Sequence, residues 1–456
     1  MALYHNPKIV TDGLVLYYDK NNTIKSWKGA PTTNDTINPT MSGGGTPGDY
    51  APGWDTALHP NATTCTTWAG GYNSGVGNVD SGYHAQLVYE GQDGGLCQKH
   101  IDRNDLYGYD HRWLGISINL GTPASLGWDS GDEITLSWDQ KADDTGKGGR
   151  CGFYHYRVTE GTQSFEDNIS PTLVVAEENV WERRSFTSTI TSNWDLTQDV
   201  RIYCYGNNGG TNATLWIENV QAEIKGFATP FVDGTRSNTE AIKDLTGRNI
   251  ITADSLTYTD SDFSFDGSGT TDGLTAGDSI AIPVSVTNTN NYPNGCTYSW
   301  WMKVDATNSE SRRAILFGAA TINHLELISL TGSSPRFRTE ARLQNGYSFG
   351  TNTIPGGALE GRWVYTNVVF ANGESGRPVR WYSNGVLFHT GSMDSGDNPG
   401  TEYFEPSEIG RSTGNESYTY SKSFFGEIPS FAINGKALSQ AEVRQNFNAT
   451  RNRFGV

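Results

Sequence analysis

Sugar rings present flat C–H faces, and tryptophan and tyrosine meet such faces best while polar neighbours take the hydroxyls. The chain has 13 Trp and 22 Tyr. One loop-like stretch, YGYDHRW, brings together Tyr107, Tyr109, His111 and Trp113, and Trp128 and Trp194 also lie beside turn residues. These six are the candidate glycan-binding residues. Trp138, Trp181 and Trp216 fall inside strand-like alternation and are assigned to packing. Tryptophan is highly buried on average, so packing or subunit contact competes with every one of the six assignments.

Oxygen ligands are the second resource. Asp102, Asn104 and Asp105, with Asp110 nearby, could offer oxygens to a structural Ca²⁺, although their spacing is not that of an EF-hand loop. No other cofactor is expected. Cys97 and His100 form a lone C-x-x-H with no second pair to complete a zinc site. Catalysis finds less. Gly346 to Gly350 reads G-x-S-x-G, but TNTIPGG follows where a nucleophile elbow needs a helix. Glu218 and Glu223 are five apart on one expected strand, so alternation sends them to opposite faces. No catalytic residue is assigned, and the chain is read as a non-enzyme.

The elements that must hold these residues are strands. Charged residues make up 18% of the chain, aromatics 12%, and Gly reaches 54, a composition of short twisted strands joined by turns. The fold class is therefore all-β, with two jelly-roll β-sandwiches and a short C-terminal helix. The net charge of -17 disfavours phosphate backbones and anionic surfaces, so no nucleic-acid partner is expected. The 5 cysteines are odd in number and scattered, which gives no disulfide framework. MALYHNPKIV has no apolar secretory core, and no run is long enough for membrane insertion. Folding in a reducing cytoplasm is the expectation.

Residues 1–40 are read as an N-terminal arm and a first strand, GLVLYYD (13–19). Residues 41–237 form a middle sandwich whose clearest strands are EITLSWDQKA (133–142), WERRSFTSTI (181–190) and TLWIENVQAEI (214–224). Residues 238–456 form the last sandwich. There Asn384-Gly385 between WYS and VLFHT marks a hairpin, because both turn positions want positive φ. Ser439 and Glu442 have capping-box spacing at the start of the C-terminal helix.

The wording of three segments is familiar. "W-I-x-x-V-Q-x-E" followed by "A-T-P-F-V-x-G-T-R-S" (216–237) resembles tail and surface proteins of tailed bacteriophages, where it closes a domain similar to carbohydrate-binding modules. "G-L-V-L-Y-x-D" with "K-S-W", then "D-L-T-G" (244–247) and "F-S-F-D-G" (263–267), resembles phage laminin-G-like (concanavalin A-like) domains. "A-x-N-G-K-A-L-S-x-x-E-V-x-Q-N-F-N-A" looks like the closing strand and helix of those domains. Glycosidases of that superfamily carry E-x-D-x-x-E on one strand, a run this chain lacks. In such domains D-L-T-G and F-x-F-D-G follow soon after the opening strand, whereas here they come only at 244 and 263, so the middle sandwich is read as inserted after the first strand.

The resemblance implies a virion structural protein, assembled in the host cytoplasm and displayed on the particle exterior as a tail fibre, tail tip, or head fibre or decoration. Implied partners are other virion proteins, further copies of the chain as a trimer, and a host-surface polysaccharide. Two alternatives remain: an architectural cement without glycan binding, and a polysaccharide depolymerase.

Overall fold

The computed structural model describes residues 8–36, 40, 55–57, 85–95, 97–102, 115–158, 163–164, 170–171, 173–205, 213–266, 278–305, 313–318, 324–328, 335–340, 348–393, 403–411 and 422–456. The fold is all-β with short helices. The chain divides into two compact units. One holds residues 1–31 and 237–456, and the other residues 32–236.

The first unit is built on two facing sheets. In one, the strand order runs Thr257–Tyr258, Phe263–Asp266, Phe425–Asn434, Cys296–Val304, Trp363–Phe370, Pro378–Ser383 and Val386–Ser392. The strand Leu14–Asp19 pairs antiparallel with Phe425–Asn434, from Leu14 opposite Asn434 to Asp19 opposite Ser430. Phe263–Asp266 takes the remaining end of the same edge, with Phe265 opposite Gly426. Alternation explains the core. Tyr298, Trp300, Met302 and Val304 point inward from one strand, and Ile428, Phe431 and Ile433 from its neighbour. They meet Phe317, Leu325, Leu327 and Phe337 of the opposing sheet.

Local signals end these elements as expected. Asn384 and Gly385 have φ of 49° and 79°, the paired positive values that the two-residue hairpin requires. Ser439 and Glu442 form the capping box of the helix Gln440–Thr450. That helix seats Val443 beside Val369 and Leu438, and Phe447 beside Trp301 and Tyr365.

Among the described residues, the second unit has one two-stranded pair and two larger sheets. One orders Leu173–Val174, Gly148–Tyr156, Val200–Tyr205, Gly115–Gly121 and Asp55–Ala57; the other orders Glu182–Thr189, Glu133–Ala142, Ala213–Ile224, Cys97–Asp102 and Ala85–Val88. Ile134, Leu136 and Trp138 face a core shared with Phe153, Ile202, Leu215 and Ile217. The boundary lies earlier than residue 41, because Thr32–Thr33 already pair with Thr235–Arg236. Among the described residues, no helix is long and apolar enough to cross a membrane.

Candidate functional site

The first unit carries an open groove of about 780 Å³. It lies where the hairpin of Thr257–Tyr258 and Phe263–Asp266 meets the end of Cys296–Val304 and the start of Phe425–Asn434. The hairpin turn closes through Thr259 N–H to Asp262 C=O at 2.9 Å. Phe263 and Phe265 are buried in the core, so this stretch turns aromatic rings inward and polar groups toward the groove. Hydroxyls come from Thr257, Thr259, Ser261 and Ser264, and carboxylates from Asp262, Asp266, Asp305 and Glu427. Lys303 lines the groove as well.

An ion network fixes one wall. The Lys20 ammonium, on a side chain only 8% exposed, contacts Asp262 and lies 2.6 Å from Glu427. Lys303 reaches the other oxygen of Glu427 at 2.5 Å. Burial alone would raise the Glu427 carboxyl, but the two ammonium groups outweigh it and hold the group below its usual value. Close backbone approach shapes the floor. Gly426 has φ 130°, and a Cβ there would stand 2.1 Å from the Lys303 carbonyl oxygen, so only glycine fits.

One group behind the groove is poised near neutrality. Asp278 accepts the Asp266 N–H at 2.7 Å. Burial pushes the Asp278 carboxyl up to about 6, helped by the adjoining Asp266 carboxylate and opposed by that backbone N–H. Together the groove offers hydrogen-bond acceptors, hydroxyls and one ammonium at its surface. That set can hold a polyhydroxylated molecule through its hydroxyls. Among the described residues, no group of three His, Cys, Asp or Glu is arranged to hold a metal ion.

The residues singled out in the sequence lie elsewhere. Tyr107, Tyr109, His111 and Trp113 fall outside the described residues, as do Asn104, Asp105 and Asp110. Asp102 ends a strand, its backbone paired with Ala213. Trp128 and Trp194 need correction as glycan-stacking residues. Trp128 is fully buried, donates its indole N–H to Asp35 at 3.0 Å, and meets Phe153 edge-on. Trp194 is 3% exposed and stacks on His155 at 3.9 Å. Both fill the core of the second unit from turns that fold back onto it, so neither ring offers a face to a sugar.

Trp138 is core, as expected, while Trp216 and Trp181 belong to a charged ladder. Lys141 lies over both rings, at 4.5 and 5.1 Å, and Lys99 lies over Trp216 at 5.0 Å. The Trp216 indole N–H donates to Glu90 at 2.6 Å.

The expected opposite orientation of Glu218 and Glu223 also fails. Glu218 stands opposite Asp139 and Glu223 opposite Thr135, with a bulge between Glu218 and Gln221. Asn219 takes φ 53° in that bulge, and the extra residue returns Glu223 to the face that Glu218 occupies. Glu223 is fully buried and accepts from Thr229 N–H at 2.8 Å, Gln221 at 2.9 Å and the Thr32 hydroxyl at 2.7 Å. Glu218 accepts the Gln92 N–H, and burial, reinforced by Asp139, pushes its carboxyl up to about 6.

Residues 274–444 match the family described as the Concanavalin A-like lectin/glucanases superfamily. The first unit carries a concanavalin A-like domain. No curated protein matches the chain. Similar solved structures include the binding domain of botulinum neurotoxin DC in complex with SialylT, at 13% identity and TM-score 0.32, covering 47% of this chain and 49% of that one. The same domain in complex with rat synaptotagmin II gives 14%, 0.32, 47% and 50%. The botulinum neurotoxin serotype C1 binding domain gives 16%, 0.32, 47% and 50%. The chain thus spans about half the length of these structures.

Proposed function

We propose that the protein is a glycan-binding adhesin on the exterior of a tailed-phage particle, and that its concanavalin A-like unit holds a neutral host-surface polysaccharide in the groove beside Lys303 and Glu427. The carrying observation is that groove. Its volume of about 780 Å³ is in the range of ligand sites, roughly 300–1,000 Å³, and its lining is polar and fixed by an ion network. The net charge of -17 favours neutral over anionic polymers. The phage setting, the virion partners and a trimeric state rest on the resemblance of the segments at 13–19, 216–237, 244–247, 263–267 and 432–449. Binding occurs without cleavage in this reading, supported by the missing E-x-D-x-x-E run.

A specific observation favours an architectural role for the 32–236 unit. Its two described candidate sugar-stacking rings, Trp128 and Trp194, are core residues. That unit then serves as a spacer or cement between neighbouring virion proteins. The test applies the full chain to a glycan array and to host polysaccharide, with antibody labelling of intact particles. Binding to neutral glycans, no new reducing ends and surface labelling are expected. New reducing ends would make the chain a depolymerase. Labelled particles without any glycan binding would leave only the architectural role.

A further inference from the structure

Cys151 and Cys204 stand directly opposite each other on the antiparallel strands Gly148–Tyr156 and Val200–Tyr205. The Cys151 backbone faces away from that partner. Its N–H donates to the Ser170 hydroxyl at 3.0 Å, and its C=O accepts the Ser170 N–H at 2.8 Å. A residue's N–H and C=O point to the same side of an antiparallel strand, so toward Cys204 this is a non-hydrogen-bonded pair. Such pairs bring Cα atoms to about 4.5 Å, inside the roughly 4.4–6.8 Å that a disulfide spans. Both side chains are buried in the core of the unit.

We propose that Cys151 and Cys204 form a cross-strand disulfide that braces this sheet, open as two thiols in a reducing cytosol and closed in oxidising surroundings. The other described cysteines have no such partner: Cys97 faces Val88, and Cys296 faces Phe370. The oxidant is a small-molecule disulfide. One cysteine thiolate attacks it and expels a small thiolate. The second cysteine then attacks the protein sulfur of the mixed disulfide and expels the other small thiolate. Two protein thiols and one small disulfide become one protein disulfide and two small thiols, the protons ending on the leaving groups. Burial pushes the Cys151 thiol well above its usual range, so attack is slow in the closed fold and fast while the chain folds or opens.

The test uses the full chain, both native and refolded from urea with oxidised glutathione, followed by intact mass and peptide mapping. The refolded chain should be lighter by two hydrogens and yield one linked peptide pair containing Cys151 and Cys204. One melting transition should rise by roughly 5–10 °C and return on reduction. Cys204→Ser should give neither the link nor the rise. Should that variant not fold, wild-type chain alkylated before refolding gives the same comparison. No link after oxidative refolding, a dominant link to Cys65, Cys97 or Cys296, or a link without a rise in melting temperature would each overturn the proposal.

Discussion

In the concanavalin A-like unit, charged side chains gather around an open groove, whereas on one strand of the 32–236 unit polar and charged side chains are folded beneath a covering segment. Lys20, Lys303, Asp262 and Glu427 hold one another while leaving Asp262 and the hairpin hydroxyls in contact with solvent. On the strand Ala213–Ile224, by contrast, Gln221 and Glu223 are fully buried. Glu223 takes the Thr229 N–H and hydroxyl, and Gln221 accepts the Val232 N–H and donates to Thr229. The same residue types that form a surface in one unit form an internal clasp in the other. What separates them is whether the donors come from the chain's own covering loop or are left for a ligand.

The largest effect should follow from opening the clasp. Glu223→Ala leaves the Thr229 N–H and hydroxyl and the Thr32 hydroxyl without their acceptor, at a cost of about 3–5 kcal/mol. Calorimetry should show one transition falling steeply and the other unmoved, with glycan binding retained. Next comes the groove floor. Gly426→Ala places a methyl against the Lys303 carbonyl and should cost roughly 2 kcal/mol or more, this time in the other transition, with binding lost.

A smaller effect is set by pH. The Asp278 carboxyl is raised to about 6, so the folded state prefers it protonated. Its stabilising contribution is fully present below the unfolded carboxyl value of about 3.9 and is lost as pH rises through about 6. Urea melts from pH 4 to 7 should show this decline in wild type relative to Asp278→Asn. The difference should be about 1 kcal/mol after solvent screening. The opposite slope would mean that Asp278 is stabilised as a carboxylate.

What could be read in advance follows from how locally each feature is encoded. The strand Glu133–Ala142, the Asn384-Gly385 turn and the Ser439 cap rest on residues adjacent in sequence, and alternation or turn chemistry reveals them. The bulge at Asn219 does not announce itself, and without it simple alternation sends Val220 and Glu223 to the wrong faces. Trp128 and Trp194 look like surface aromatics because turn residues flank them, yet their turns fold back onto Phe153. The groove was illegible for another reason. Its wall joins Lys20, the 259–266 hairpin, Lys303 and Glu427, which only strand pairing across some four hundred residues brings together.

The most direct measurement blocks the groove without disturbing its supports. Ser261 lies exposed at the hairpin turn that lines it, so Ser261→Trp should fill the opening and leave both melting transitions in place. Titration of the best neutral glycan against wild type and this variant should show binding weakened by roughly tenfold or more. Equal affinity in the two proteins would contradict the groove as the site of recognition.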